Sequence, residues 1–229
     1  MTPDDVRVGE LDVVRVGRVS YERGHTLQLE RLEARVRGDV RDALILLEHD
    51  EVVTLGRGTP AEGFGREELA ARGVPLVAVE RGGEATWHGP GQLVAYPIVA
   101  LPEGRRDLHR YLRDLEQVVI LLLADLGVVG ERRAGLTGVW IGERKVCSIG
   151  VAVRRWVTWH GVSLNVSNAL ETFASFRACG LAPGVMTRVV DHAQVPQGDP
   201  LLASAFEVAF RGVFEGMFEG PFEGKFERE

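Results

Sequence analysis

Apolar residues along the 229-residue chain change their spacing several times, and each change marks an element. Leu108, Tyr111, Leu112, Leu115, Val118, Val119, Leu122 and Leu126 recur at three- and four-residue steps. That spacing predicts an amphipathic helix over 107–126, capped by Gly127. A rougher stripe, Leu27, Leu29, Leu32 and Val36, predicts a helix over 20–37 that Gly38 stops. A short helix is expected over 67–72. Brief apolar runs predict strands at 11–16, 43–48, 52–55, 75–80, 93–98, 138–141, 145–153 and 156–166. Gly142–Glu143 and Arg154–Arg155 are the candidate hairpin turns between the last three. The expected class is α+β: a mixed, largely antiparallel sheet with flanking helices, set on one face.

The C-terminal pattern differs. Phe206, Phe210, Phe214, Phe218, Phe222 and Phe226 recur every four residues. Such a stripe winds around a long helix, and Gly216, Gly220, Pro221 and Gly224 oppose a helix there. The reading is a helix over 200–215, then a low-complexity tail over about 216–229. The tail is either loose or docks its Phe side chains on the domain surface or a partner. The whole of 1–229 is read as one domain.

Charge and cysteine count narrow the classes. A net charge of −6 gives no general preference for nucleic acid. Two cysteines are too few for a disulfide framework and suit a reducing compartment. The longest apolar run, 118–124, falls far short of the ~20 residues of a membrane span. The acidic amino end does not read as a signal peptide, so a cytoplasmic protein without membrane partners is expected. His and Cys show no paired short spacing, so no metal is expected. No phosphate-binding or dinucleotide-binding glycine motif occurs, which does not by itself exclude ATP; no cofactor is expected.

The chemistry-rich stretch is Arg81-Gly82-Gly83-Glu84-Ala85-Thr86-Trp87-His88-Gly89-Pro90-Gly91-Gln92, read as a long loop between two strands. Glycine lets backbone approach a ligand closely, while Arg, Trp, His and Gln point side chains at it. Two cysteines compete as nucleophile. Cys147 lies two residues from Lys145, so on a regular strand both face one side. Cys179 precedes Gly180 in a short segment. A neighbouring cation raises the thiolate fraction of either. His88 and His160 both precede Gly and serve as base or strut.

The stretch resembles the octanoyltransferase family, whose pattern reads close to R-G-G-x-x-T-Y-H-G-P-G-Q, with Trp87 in place of the usual Tyr. Lys145-Val-Cys-Ser-Ile-Gly150, His160-Gly-Val-Ser-Leu-Asn165 and Ala178-Cys179-Gly180-Leu181 resemble it too, with Ala178 in place of the usual Pro. The resemblance runs from about Leu47 to Val189. It implies the fold of biotin and lipoate protein ligases, and Cys179 and Lys145 as a catalytic dyad, with Cys147 as core filler. It places the substrate slot among Arg81 to His88, Ser148, Ile149, Gly150, Gly161, Val162 and Ser163, with His160 auxiliary. It implies octanoyl-acyl carrier protein as donor. The implied acceptors are lipoyl domains of 2-oxoacid dehydrogenases and the glycine cleavage H protein. An ATP-dependent lipoate ligase, a hydrolase using Cys179 and His160, and a non-catalytic acyl- or lipoyl-domain-binding module are the competing readings. The candidate carrier-docking patch is Arg105, Arg106, Arg110 and Arg113, or Arg132 and Arg133.

Overall fold

The computed structural model describes residues 11–182, 184–195, 200–214 and 217. A six-stranded sheet runs in the order β1-β2-β6-β9-β8-β7. Its strands are β1 (Asp12–Val19), β2 (Ala43–His49), β6 (Gln92–Ile98), β7 (Val139–Ile141), β8 (Arg144–Arg154) and β9 (Val157–Asn165). β1 pairs parallel with β2 and every other neighbour is antiparallel. The mixed, largely antiparallel sheet is therefore as expected.

The helices cover both faces rather than one. β2 shows why, because it is a nearly continuous apolar run. Leu44 and Leu46 join the cluster built with α3 (Leu108–Asp125) and α4 (Pro200–Val213). Ala43, Ile45 and Leu47 turn the other way, into the cluster that holds Leu32 of α1 (Tyr21–Arg37). Asp107 caps α3 by accepting from the backbone N–H of His109 and Arg110, at 2.9 and 3.1 Å. No helix among the described residues is long and apolar enough to cross a membrane.

A second sheet was not foreseen. β3 (Val52–Leu55) pairs parallel with β4 (Leu76–Ala78) and antiparallel with β5 (Thr86–His88). β5 lies inside the stretch read as loop, and β4 is only the centre of the run expected over 75–80. Beneath this sheet, Val53, Trp87, Phe64, Leu69, Phe173 and Ala178 form a separate apolar cluster, beside α2 (Arg66–Ala71).

The β8–β9 turn is shifted by one residue from the expected Arg154–Arg155. It consists of Arg155 and Trp156, whose φ values of 49° and 61° suit a two-residue hairpin with both central residues left-handed. Phe206 and Phe210 of α4, and Phe214 just past its end, are fully buried, and the Phe214 ring packs 5.7 Å from that of Tyr111 of α3. One face of a short helix absorbs these three before the stripe has wound far. Glu215, Phe218, Phe222 and Phe226 lie outside the described residues.

Candidate active site

β8 carries Lys145, and a bulge decides what it faces. Val139 pairs with Cys147 while the next residue, Trp140, pairs with Lys145, so β8 spends an extra residue there. A bulge reverses which side chains share a face. Lys145 and Ser148 both line one cavity, whereas Cys147 is fully buried in the main core. The expectation that Lys145 and Cys147 share a face holds only for an unbroken strand. Burial pushes the Cys147 thiol far up, despite Lys145 nearby, so it stays protonated.

The segment carrying Cys179 is fastened at both ends. Its backbone N–H donates to Ala85 O at 2.8 Å, tying it to the Arg81–Gln92 stretch. Downstream, Lys145 N–H donates to Val185 O at 2.8 Å and Thr187 N–H to Lys145 O at 3.0 Å. Met186 thus bridges Lys145 in parallel fashion. Cys179 itself sits at φ 53° and ψ 30°, a left-handed conformation costly for any residue with a Cβ. The half-buried Sγ lies 3.5 Å from Ser148 Oγ.

Electrostatics favour the thiolate. Burial alone pushes the Cys179 thiol up, but Lys145, the Ser148 hydroxyl, Arg81 and the Thr86 hydroxyl outweigh it. The net shift is below the usual thiol value. Thr86 Oγ1 is buried with no other hydrogen-bond partner, so its proton is available to charge at this sulfur. Gly180 N–H is directed back to Arg177 O at 3.4 Å, so the hydroxyls of Ser148 and Thr86 are better placed than Gly180 to meet an oxyanion.

Lys145 is buried, with its Nζ 5.9 Å from the centre of the Trp140 ring. Gly138 packs directly on it: a Cβ there would stand 2.7 Å from Lys145 Cε and 2.4 Å from Cys147 O. Glu116, fully buried on α3, accepts from Gly138 N–H at 2.9 Å and binds Arg113 and Arg132 at 2.8 and 3.1 Å. Sequence reasoning missed Glu116, whose only signal was a carboxylate on the apolar stripe of α3. The same contacts tie two arginines of the candidate docking patch to Glu116. Arg106 stacks over Trp156 at 5.7 Å.

The cavity has a volume of about 210 Å³. It gathers Arg81, Gly83, Glu84, Thr86, His88, Lys145, Ser148, Ile149, Gly150, His160, Gly161, Val162, Ser163 and Cys179, all of them candidates from sequence. Gly82, Ala85 and Trp87 are not in its wall. Alternation along β5 explains Trp87: Thr86 and His88 face the cavity, so Trp87 points to the Phe173 cluster and donates to Glu51 at 3.0 Å. Tyr21, Thr54, Tyr96, Leu136 and Thr137 also line it and carried no motif, and Leu181, the last residue of the Cys179 motif, joins them. Gly150 and Gly161 face each other across β8 and β9. A Cβ at Gly150 would stand 3.0 Å from Arg81 Cδ, and one at Gly161 2.4 Å from Ala95 O, so the strands approach their neighbours closely.

Arg81 is a strut as well as a charge. It is buried, and its guanidinium donates to Thr54 O and Oγ1 at 2.9 and 2.8 Å and to Glu84 O at 2.8 Å. His88 bonds Gln92 Oε1 through Nδ1 at 2.8 Å, and burial pulls its pKa well below the usual value. Burial likewise pulls His160 down to about 3. Both rings are neutral at pH 7, and His88 serves as a hydrogen-bonded support.

Known proteins resemble this chain in sequence and in fold. Residues 20–205 match the family described as lipoyl protein ligase A/B catalytic domain. An octanoyltransferase of Gloeobacter violaceus is 44% identical over 206 residues, covering 89% of this chain and 91% of that one. An octanoyltransferase of Geobacter metallireducens is 42% identical, over 80% of this chain and 85% of its own. Among solved structures, the bipartite lipoate protein ligase of Thermoplasma acidophilum superposes with a TM-score of 0.71 at 17% identity. It covers 90% of this chain and 84% of its own. A lipoate-protein ligase A bound with ATP gives 0.67 at 16% identity, covering 92% and 85%. A biotin protein ligase of Aquifex aeolicus gives 0.53 at 12%, covering 92% and 73%. The fold is that of the biotin and lipoate protein ligases, and the chain belongs to the octanoyltransferase family within the lipoyl protein ligase A/B catalytic domains.

Proposed function

We propose that this octanoyltransferase moves an octanoyl group from acyl carrier protein to a lysine of a lipoyl-accepting domain, through a thioester on Cys179. The observation that carries the reading is the Cys179 thiol, drawn toward its thiolate by Lys145 at the wall of a partly apolar cavity. In the first half, Cys179 thiolate attacks the donor thioester carbonyl. The tetrahedral oxyanion takes hydrogen bonds from Ser148 and Thr86 hydroxyls. The carrier thiolate leaves and accepts a proton from Lys145. In the second half, the ε-amine of the acceptor lysine attacks the Cys179 thioester. Lys145, now neutral, takes the proton released as the amide forms, and Cys179 departs as thiolate. Both sulfur and lysine end as they began.

The seven-carbon tail of the octanoyl group needs an apolar wall, which Leu136, Ile149, Val162 and Leu181 supply. At about 0.8 kcal/mol per buried CH₂, seven methylene-sized groups contribute roughly 5 kcal/mol. With Arg113 and Arg132 engaged by Glu116, Arg105, Arg106 and Arg110 form the reduced surface on which an acidic carrier would dock.

Thioester-to-amide transfer runs downhill without a nucleotide. Octanoyl-acyl carrier protein and a lipoyl domain, mixed with the enzyme in nucleotide-free buffer, are expected to give octanoyl-lipoyl domain. Transfer that requires ATP would select a ligase, and release of free octanoate at the same rate with or without acceptor would select a hydrolase.

A further inference from the structure

Three donors from distant parts of the chain converge beside the cavity and take no part in the chemistry above. His25 is on α1, Glu80 follows β4, and His160 is on β9. Glu80 Oε2 stands 3.5 Å from His25 Nε2 and 3.7 Å from His160 Nε2. The three donor atoms all lie within 4.8 Å of one another. Both histidine Nε2 atoms are buried and neither makes a hydrogen bond. His160 is only 3% exposed. Buried polar atoms are almost always hydrogen-bonded, so two buried nitrogens without a hydrogen bond, both turned toward one carboxylate, suit an ion that all three would bind.

The spacing suits a metal ion. Ligands held about 2.1 Å from a tetrahedral Zn²⁺ stand about 3.4 Å from each other, close to the separations from Glu80. Two imidazoles with one carboxylate favour Zn²⁺ over Ca²⁺ or Mg²⁺, which prefer oxygen donors. The ring of His160 is held in place without an ion. It stacks on Trp159 at 4.3 Å, and its backbone N–H donates to Gln28 Oε1 at 2.8 Å. Gln28 lies on α1 close to one turn beyond His25. Glu80 is 56% exposed and opens an entry path from solvent.

We propose that His25, Glu80 and His160 form a binding site for a divalent transition-metal ion, with Zn²⁺ the preferred occupant. The ion would pin α1 to β9, and His160 also lines the cavity. Three protein ligands leave a fourth tetrahedral position for water.

The test uses the full chain carrying Cys179→Ala, which removes the accessible thiolate as a competing ligand, and ZnCl₂ as the probe. Isothermal titration is expected to give one Zn²⁺ per chain. Thermal unfolding at a hundredfold excess over Kd is expected to shift upward by about 5–10 °C. In the same background, His25→Ala and Glu80→Gln are expected to weaken binding at least about tenfold, as loss of a metal ligand should. His109→Ala, on the exposed side of α3, should bind as before. Glu80 is exposed enough that Glu80→Gln is expected to fold even if His25→Ala does not. Absence of saturable binding, or equal binding in Glu80→Gln, overturns the site. No acyl substrate is used, so the outcome is separate from that of the transfer reaction.

Discussion

The backbone N–H of Cys179 is hydrogen-bonded to the carbonyl of Ala85 at 2.8 Å, and this bond suspends a left-handed cysteine from the glycine-rich stretch. Beyond one short turn at Ala178–Gly180, residues 178–182 and 184–187 form no helix or strand. They are set by that bond, by the Lys145 bridge to Met186, and by Ala178 in the apolar cluster under the small sheet. A left-handed residue with a Cβ carries strain of about 1 kcal/mol, which glycine does not. Cys179→Gly is therefore expected to be more stable than Cys179→Ala by about 1 kcal/mol, despite its more flexible unfolded chain. Urea unfolding of the two variants measures the difference. Equal midpoints would mean the conformation stores no strain.

Lys145 is the largest influence drawing the Cys179 thiol downward, against the burial that raises it. Lys145→Met keeps the stem's bulk and removes the charge, leaving burial opposed only by weaker partners. The sign is upward, because the largest charge favouring the thiolate is gone. The rate of alkylation by iodoacetamide, followed from pH 5 to 10, reports the titration. Its midpoint should rise in Lys145→Met and move much less in Arg81→Lys, which keeps a cation.

Glu116 links α3 to the backbone behind Lys145 through Gly138. Glu116→Leu leaves a buried N–H unpaired and takes the carboxylate from Arg113 and Arg132, which are partly exposed. A cost of about 2 kcal/mol is expected, the range for a hydrogen bond to a charged group. Glu116→Gln can still accept from Gly138 and should lose less. The comparison is read from chemical unfolding, with transfer rate as a second readout because Lys145 would lose its backing.

Acid should destabilise the fold through His49. Burial pulls its pKa from the usual value to about 4, and it is held by Tyr96 Oη at 2.7 Å. The unfolded chain therefore binds more protons than the folded one between about pH 6.5 and 4. Stability from this group is complete above that window and falls as pH drops through it, by about 1.4 kcal/mol per unit. His49→Gln should make the dependence of the urea midpoint between pH 7 and 4.5 shallower, with the remaining slope left to His88 and His160, whose pKa values burial also pulls down. A parallel dependence in both proteins would assign acid sensitivity elsewhere.

Long-period features were readable in the chain, and short irregular ones were not. The apolar steps of α3 and the turn at Gly142–Glu143 gave boundaries within a residue or so, because each is fixed locally. β5 escaped notice because three residues among glycines have too little alternation to register, and they pair only with β3, remote in sequence. That helices would cover both sheet faces was implicit in the unbroken apolar run of β2. The motif residues around Arg81, Ser148 and His160 do converge on one cavity. The bulge in β8 could not be anticipated, since it depends on how Trp140 and Val139 pair. Nor could Glu116, or the meeting of His25 with Glu80 and His160, which no sequence spacing records.

The central claim is a covalent one. Incubating the enzyme with octanoyl-acyl carrier protein and measuring its intact mass is expected to show a gain of one octanoyl group. That gain should be sensitive to hydroxylamine, absent from Cys179→Ala, and discharged on adding a lipoyl domain. An adduct that persists in Cys179→Ala, or product formed at full rate by that variant, would contradict the account.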